Sequence, residues 1–171
     1  AEMLSRARAN ATAAGLDNIE FHEGRLEALP VDDASVDAVT SNCVINLVPD
    51  RAAVFREIHR VLRPGGRLVV ADIILDGELP PAIATDVLAW VGCIAGAMER
   101  TRYFALLEEA GLGQVEVLSD IDYLAATGGE DPAELRELMT AAGLGAADVA
   151  GVVHSVTFRA VKPAADARAE R

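Results

Sequence analysis

The stretch RVLRPGGRLVVAD at residues 60–72 closes a helix, breaks at Pro64-Gly65-Gly66 and then opens a continuous apolar run from Leu68 to Ala71. Upstream, Asp50 stands where a helix cap is needed, before an apolar stripe of Val54, Ile58, Val61 and Leu62. Aspartate is a favoured N-cap, and a proline–glycine cluster is a strong stop. Ahead of that helix, Val36–Ser41 reads as a short strand after the Asp32-Asp33 turn. Fully apolar strands are typical of parallel strands covered by helices on both faces. Strand, helix and strand over 36–72 therefore predict a βαβ unit and an α/β fold.

Working outward from that unit, residues 2–14 place Leu4, Ala7, Ala11 and Ala14 at helical spacing and stop at Gly15. Asn18 to His22 alternates like a strand. Downstream, helices are expected near 81–93 and 101–110, a strand at Val115–Ser119, and a further helix from Asp131-Pro132 to Gly143. Gly111 and Gly143 each follow a helix and read as C-terminal caps. Val152–Val161 alternates, with Val152, Val156, Phe158 and Ala160 on one face, and predicts a last strand. Residues 164–171 read as a flexible tail. The length of 171 residues suits one domain, given roughly 100–200 residues per domain.

Hydrophobic residues make up 51% of the chain, yet no apolar run approaches the ~18 residues that argue a bilayer span. The net charge of −12 opposes binding to a phosphate backbone or an anionic membrane surface. Nucleic acid and membrane are therefore not expected partners. Two cysteines without disulfide-dense spacing point to a reducing, cytoplasmic setting.

Each cysteine sits in a distinctive motif: SNCVINL at 41–47, around Cys43, and WVGCIAGA at 90–97, around Cys93. Thiolates are soft ligands, suited to a thiophilic centre such as trivalent arsenic if both reach one cleft. Together with RVLRPGGRL at 60–68 and SVTFRAVKP at 155–163, these motifs resemble the arsenite methyltransferases, a branch of the S-adenosylmethionine-dependent class I methyltransferases. The likeness covers residues 1–163. The Arg-Pro-Gly-Gly element is common to many class I methyltransferases, whereas the cysteine motifs are particular to the branch.

The resemblance implies methyl transfer from S-adenosylmethionine to arsenic(III) held by the thiolates of Cys43 and Cys93. Arsenite or its thiol conjugates would be the substrate, and a small-molecule thiol the reductant. It also implies that Gly24 to Glu27 lies along the adenine, with Arg25, Leu26 and Glu27 as cofactor-binding residues, and that Asn42 lines the methionine end. The family's first strand, with its Gly-rich turn, and the acidic end of its second strand have no counterpart here, nor does a further upstream cysteine ligand. Residues 1–163 are accordingly expected to be the C-terminal part of a doubly wound, Rossmann-like class I methyltransferase sheet lacking the first two strands. Weak cofactor binding by this piece alone is the corresponding expectation. Two other readings stay open: a class I methyltransferase for a small organic molecule with structural cysteines, and a non-catalytic arsenical-binding fragment.

Other polar residues carry less. Asp72 is expected at a pocket rim, where the 67–72 strand ends. His59 is expected to be solvated on the polar side of its helix, and His22 and His154 lie in alternating segments without ligand spacing. Trp90 reads as core or pocket wall.

Overall fold

The computed structural model describes residues 2–78, 96–123, 140 and 150–164. The helices expected at 81–93 and from Asp131 to Gly143, the residues Trp90 and Cys93, and the tail beyond 164 lie outside the described residues. In chain order the elements are α1 (Glu2–Ala13), β1 (Val36–Asn42), a 3-10 turn (Ile45–Leu47), α2 (Arg51–Val61) and β2 (Leu62–Leu75). They continue with β3 (Met98–Glu99), α3 (Arg100–Glu109), β4 (Gly113–Asp122) and β5 (Val153–Val161).

The expected βαβ unit forms. β1 pairs parallel with β2, Val39 opposite Leu68 and Asn42 opposite Ala71, and α2 is the crossover between them. The described sheet runs β1-β2-β5-β4, with β5 antiparallel to both its neighbours and the short β3 parallel to the end of β2. α2 and α3 cover one face. Their buried residues Val54, Phe55, Ile58, Tyr103, Leu106 and Leu107 pack with Leu68, Val70 and Ile74 of β2 and Val156, Phe158 and Ala160 of β5. At the centre the rings of Phe55 and Phe158 stand edge-on to Tyr103, with centroids 5.4 Å and 5.7 Å away. Aromatic pairs favour this edge-to-face geometry.

α2 starts as its sequence dictates: the Asp50 carboxylate accepts from the Ala53 amide at 2.9 Å. Its end differs from the expectation. The helix stops at Val61, and Leu62, expected on the helical stripe, is extended and opens β2 opposite Val36. The residue before Arg63-Pro64 is already committed because Leu62 is fully buried in the sheet, and Arg63, preceding proline, is barred from the helical region. Lys162 from the end of β5 caps the vacated carbonyls of His59 and Leu62 at 2.8 Å and 2.7 Å. Gly65 takes φ 80°, and a Cβ on Gly66 would fall 2.8 Å from the Arg63 carbonyl, so this turn requires both glycines.

The expected strand at 18–22 is not formed; these residues carry no regular secondary structure. The alternation is present, but within the described residues no neighbour offers them a ladder, and a strand without paired backbone groups is not stable. The other boundaries move by one to three residues: α3 covers 100–109, β4 lengthens to Gly113–Asp122 and β5 begins at Val153. Gly111 does cap α3, at φ 86°, with the Leu112 amide donating back to Leu107.

Candidate functional site

At the carboxyl end of β1 the chain turns sharply at Cys43, whose φ of 55° lies in the left-handed region. An L-residue there costs roughly 1–2 kcal/mol. The turn is held by the Cys43 amide, which donates to the Ala71 carbonyl at 2.9 Å, and by the 3-10 turn that follows. Cys43 is half-buried, and the neighbouring Asn42 is exposed. Ligands of open α/β sheets sit outside the carboxyl ends of the strands, which is where this turn lies.

Behind it is a set of buried polar groups. Asn46 and Asp72 are 0% and 1% exposed. The Asn46 side-chain amide donates to Asp72 Oδ1 at 2.8 Å and to the Ile73 carbonyl at 2.7 Å. The Tyr103 hydroxyl donates to Asp72 Oδ2 at 3.1 Å, and the Ile73 amide to Oδ1 at 3.1 Å. Burial raises the Asp72 carboxyl to about 6, against the opposing pull of these hydrogen bonds and of the Arg51 charge. The Tyr103 phenol is pushed well up by burial and by the Asp72 carboxylate, with Cys43 close enough to add to the effect. Arg51 is lowered by burial, and the nearness of Asp72 opposes that shift. Among the described residues, Ser41 Oγ, Asn46 Oδ1 and Arg51 Nε are buried polar atoms without a hydrogen-bond partner.

Asp72 is thus not a rim group. It lies inside β2, in phase with Leu68, Val70 and Ile74 on the helix-covered face. That phase was a readable signal: an acid in register with a core stripe must find buried partners. Asn46, Arg51 and Tyr103 gave no such signal, since an arginine at a helix start reads as solvated and a tyrosine in an apolar helix as core.

The segment expected along the adenine makes a small turn closed by a bridge between Arg25 and Ala28. Arg25 is exposed and pairs with Glu27 at 3.7 Å, while Leu26 packs against the core. The turn is tied to the later part of α2: the Leu29 amide donates to Glu57 at 2.7 Å, and Arg60 donates to the Leu29 carbonyl at 3.1 Å. Among the described residues no hydrogen bond joins Arg25, Leu26 or Glu27 to Asn42. Asn42 and Cys43 are neighbours at the end of β1, and Arg25 to Glu27 lie in the turn closed by the Arg25–Ala28 bridge.

The histidines also differ from expectation. His59 is half-buried against Gly111, whose Cβ would meet its ring at 3.1 Å. Burial, with the nearby Lys162, lowers its pKa. His154 faces Asp120 at 2.7 Å and Asp76 at 3.5 Å, and Arg100 binds both carboxylates. Arg100 occupies the centre of this group, which makes it an ion-pair cluster.

Comparison with known proteins identifies the family of the chain. The family described as methyltransferase domain matches residues 1–111. The arsenite methyltransferase of Halobacterium salinarum is 42% identical over 116 residues, spanning 68% of this chain and 30% of that protein. The arsenite methyltransferase of Aquipseudomonas alcaligenes is 34% identical over 127 residues, spanning 70% and 37%. Among solved structures, the arsenic(III) S-adenosylmethionine methyltransferase of Chlamydomonas reinhardtii superposes with a TM-score of 0.63 at 31% identity, covering 82% of this chain and 43% of that one. The chain spans less than half the length of these relatives.

S-adenosylmethionine is the cofactor of such domains. At the end of β1 the Ser41 hydroxyl is buried with no partner among the described residues, and the exposed Asn42 amide offers a donor and an acceptor beside it, groups chemically suited to a polar amino-acid moiety.

Proposed function

This chain belongs to the methyltransferase domain family, and from that premise we propose that it takes part in methylating trivalent arsenic held by the thiolates of Cys43 and Cys93, with detoxification as the outcome. The observation that carries the reading is the placement of Cys43, on a strained left-handed turn at the ligand-binding end of β1. Its likeness to arsenite methyltransferases supports the choice of substrate.

In this reading Cys43 and Cys93 displace oxygen or thiol ligands from arsenic(III), each thiol proton leaving with the displaced group. Their role is to hold the arsenic with its lone pair facing the donor. The cofactor supplies an electrophilic methyl group on a sulfonium sulfur. Ser41 and Asn42 would hold its amino-acid end, and Arg25, Leu26 and Glu27 its adenine. The attacking electrons are arsenic's own, so no general base is needed, and a small-molecule thiol returns the oxidised product to the trivalent state. Proximity and orientation are then what the chain contributes, an effect worth up to roughly 7–11 kcal/mol.

Titration of free thiols tests this. Arsenite should remove both cysteines from reaction with a thiol reagent, and Cys43→Ala or Cys93→Ala should abolish the tight complex. Unchanged thiol reactivity in saturating arsenite would overturn the proposal.

A further inference from the structure

Cys43 follows β1 in the left-handed region, and the turn it opens has little local support. The 3-10 turn behind it is capped by Val44 without a side-chain hydrogen bond, and Val44 and Leu47 are exposed. The bond from the Cys43 amide to Ala71 continues the β1–β2 ladder, so it fixes where the strand ends and not which way the chain goes next. Ile45 is buried in the core, but apolar burial has no direction.

Asn46 supplies the direction. β1 and β2 run in register with Asn42 opposite Ala71, so an extended continuation of β1 would bring residue 46 level with Leu75. The Asn46 amide instead donates to Asp72 Oδ1 at 2.8 Å and to the Ile73 carbonyl at 2.7 Å. Both partners are acceptors, which orients the amide. The chain is thus drawn back over β2 directly after Cys43. The Asn46 carbonyl is held as well, by Arg51 Nη2 at 2.8 Å, and the same nitrogen donates to the Gly96 carbonyl. Asn46 is fully buried, and its Oδ1 has no partner among the described residues. A buried acceptor without a partner costs stability that a leucine would not, so core packing does not account for this residue.

We infer that Asn46 is a positioning residue, whose amide clamps the segment after Cys43 onto β2 and so holds Cys43 in its left-handed conformation at the ligand-binding end of β1. Its functional meaning rests on the proposed reading of Cys43 as an arsenic ligand. Asn46 acts through the backbone that carries Cys43.

Two comparisons in the full chain test this. The first asks whether the backbone at 43 depends on Asn46. Glycine is favoured over alanine where φ is positive, so Cys43→Gly should fold with an equilibrium constant about fivefold larger than Cys43→Ala in urea titrations. Combined with Asn46→Leu, the order should reverse, because the released turn relaxes to negative φ, where glycine is the poorer residue. If Asn46→Leu does not fold, Asn46→Ser, with one hydrogen to donate in place of two, carries the same expectation. A glycine advantage that persists without Asn46, or that is absent with it, overturns the inference. The second comparison follows alkylation of Cys43 by iodoacetamide, read by peptide mass. Asn46→Leu should need about tenfold more arsenite than the wild type to protect Cys43, the scale of a lost turn conformation. Equal protection in the two chains overturns the inference. Absence of protection in the wild type instead overturns the proposed function, and the role of Asn46 in it, whatever the glycine comparison shows.

Discussion

Asp72 and Asp76 stand four residues apart at the same end of β2, and their surroundings drive them in opposite directions. Asp72 is buried, and desolvation lifts its carboxyl to about 6 although four partners favour the charged form. Asp76 lies just past the strand, where hydrogen bonds from Arg100 lower its pKa and outweigh a small burial penalty. Both have an arginine nearby. The difference is solvent: the Arg100 guanidinium binds Asp76 directly at 2.6 Å in partly exposed surroundings, whereas Arg51 spends its contacts on two carbonyls and acts on Asp72 only through space. A charge partner that is not in contact does not offset the removal of a carboxylate from water.

The contrast can be broken most sharply by deleting the buried member. Asp72→Ala leaves the Tyr103 hydroxyl and the Ile73 amide without their acceptor and the Arg51 charge without a counter-ion, so unfolding in urea at neutral pH should show a loss of about 3 kcal/mol or more. A loss below that of an ordinary surface substitution would mean that water enters the site freely.

Titration comes next in size. Because the folded-state value of Asp72 lies above its unfolded one, the folded protein binds the extra proton between the two, and stability contributed by this group falls as pH rises through about 6. The stability difference between the wild type and Asp72→Asn should therefore decline by about 2 kcal/mol from pH 4 to pH 6.5. A flat difference curve would remove the case for a dry carboxyl. The smallest effect is expected at the exposed cluster. Asp76→Asn should cost less than about 1 kcal/mol, with the opposite sign of pH dependence, because a lowered carboxyl adds stability above its unfolded pKa and loses it in acid. Added salt should shrink that cost further while leaving the Asp72 effect in place.

Regular elements were legible wherever pattern and boundary agreed. α2 was readable from the Asp50 cap and the Val54, Ile58 and Val61 stripe, and β5 from the alternation of Val156, Phe158 and Ala160, because period and capping are local properties. Residues 18–22 show the limit of the same signal: alternation states which face a strand would bury, but strand formation needs a neighbour. Leu62 shows another, since its apolar character fitted helix and sheet equally well, and pairing with Val36 decided between them. Within the candidate site, Cys43 was singled out by its motif and by its place just past a strand, and Asn42 through the family resemblance alone. Asp72 was singled out but expected at the rim, and Arg51 and Tyr103 were not recognised, because their roles depend on which carbonyls and carboxylates the fold places against them.

The order of residues by itself determined the βαβ unit, the glycine turn at 65–66, the acidic surface and the two cysteine motifs, since each follows from local sterics, periodicity or charge count. Tertiary structure alone decided that Asn46 and Tyr103 are the partners of Asp72, that Cys43 sits on a left-handed turn, and that one arginine nitrogen joins Asn46 to Gly96. Desolvation and hydrogen-bond partnership depend on groups remote in sequence, and no local reading of the chain contains them.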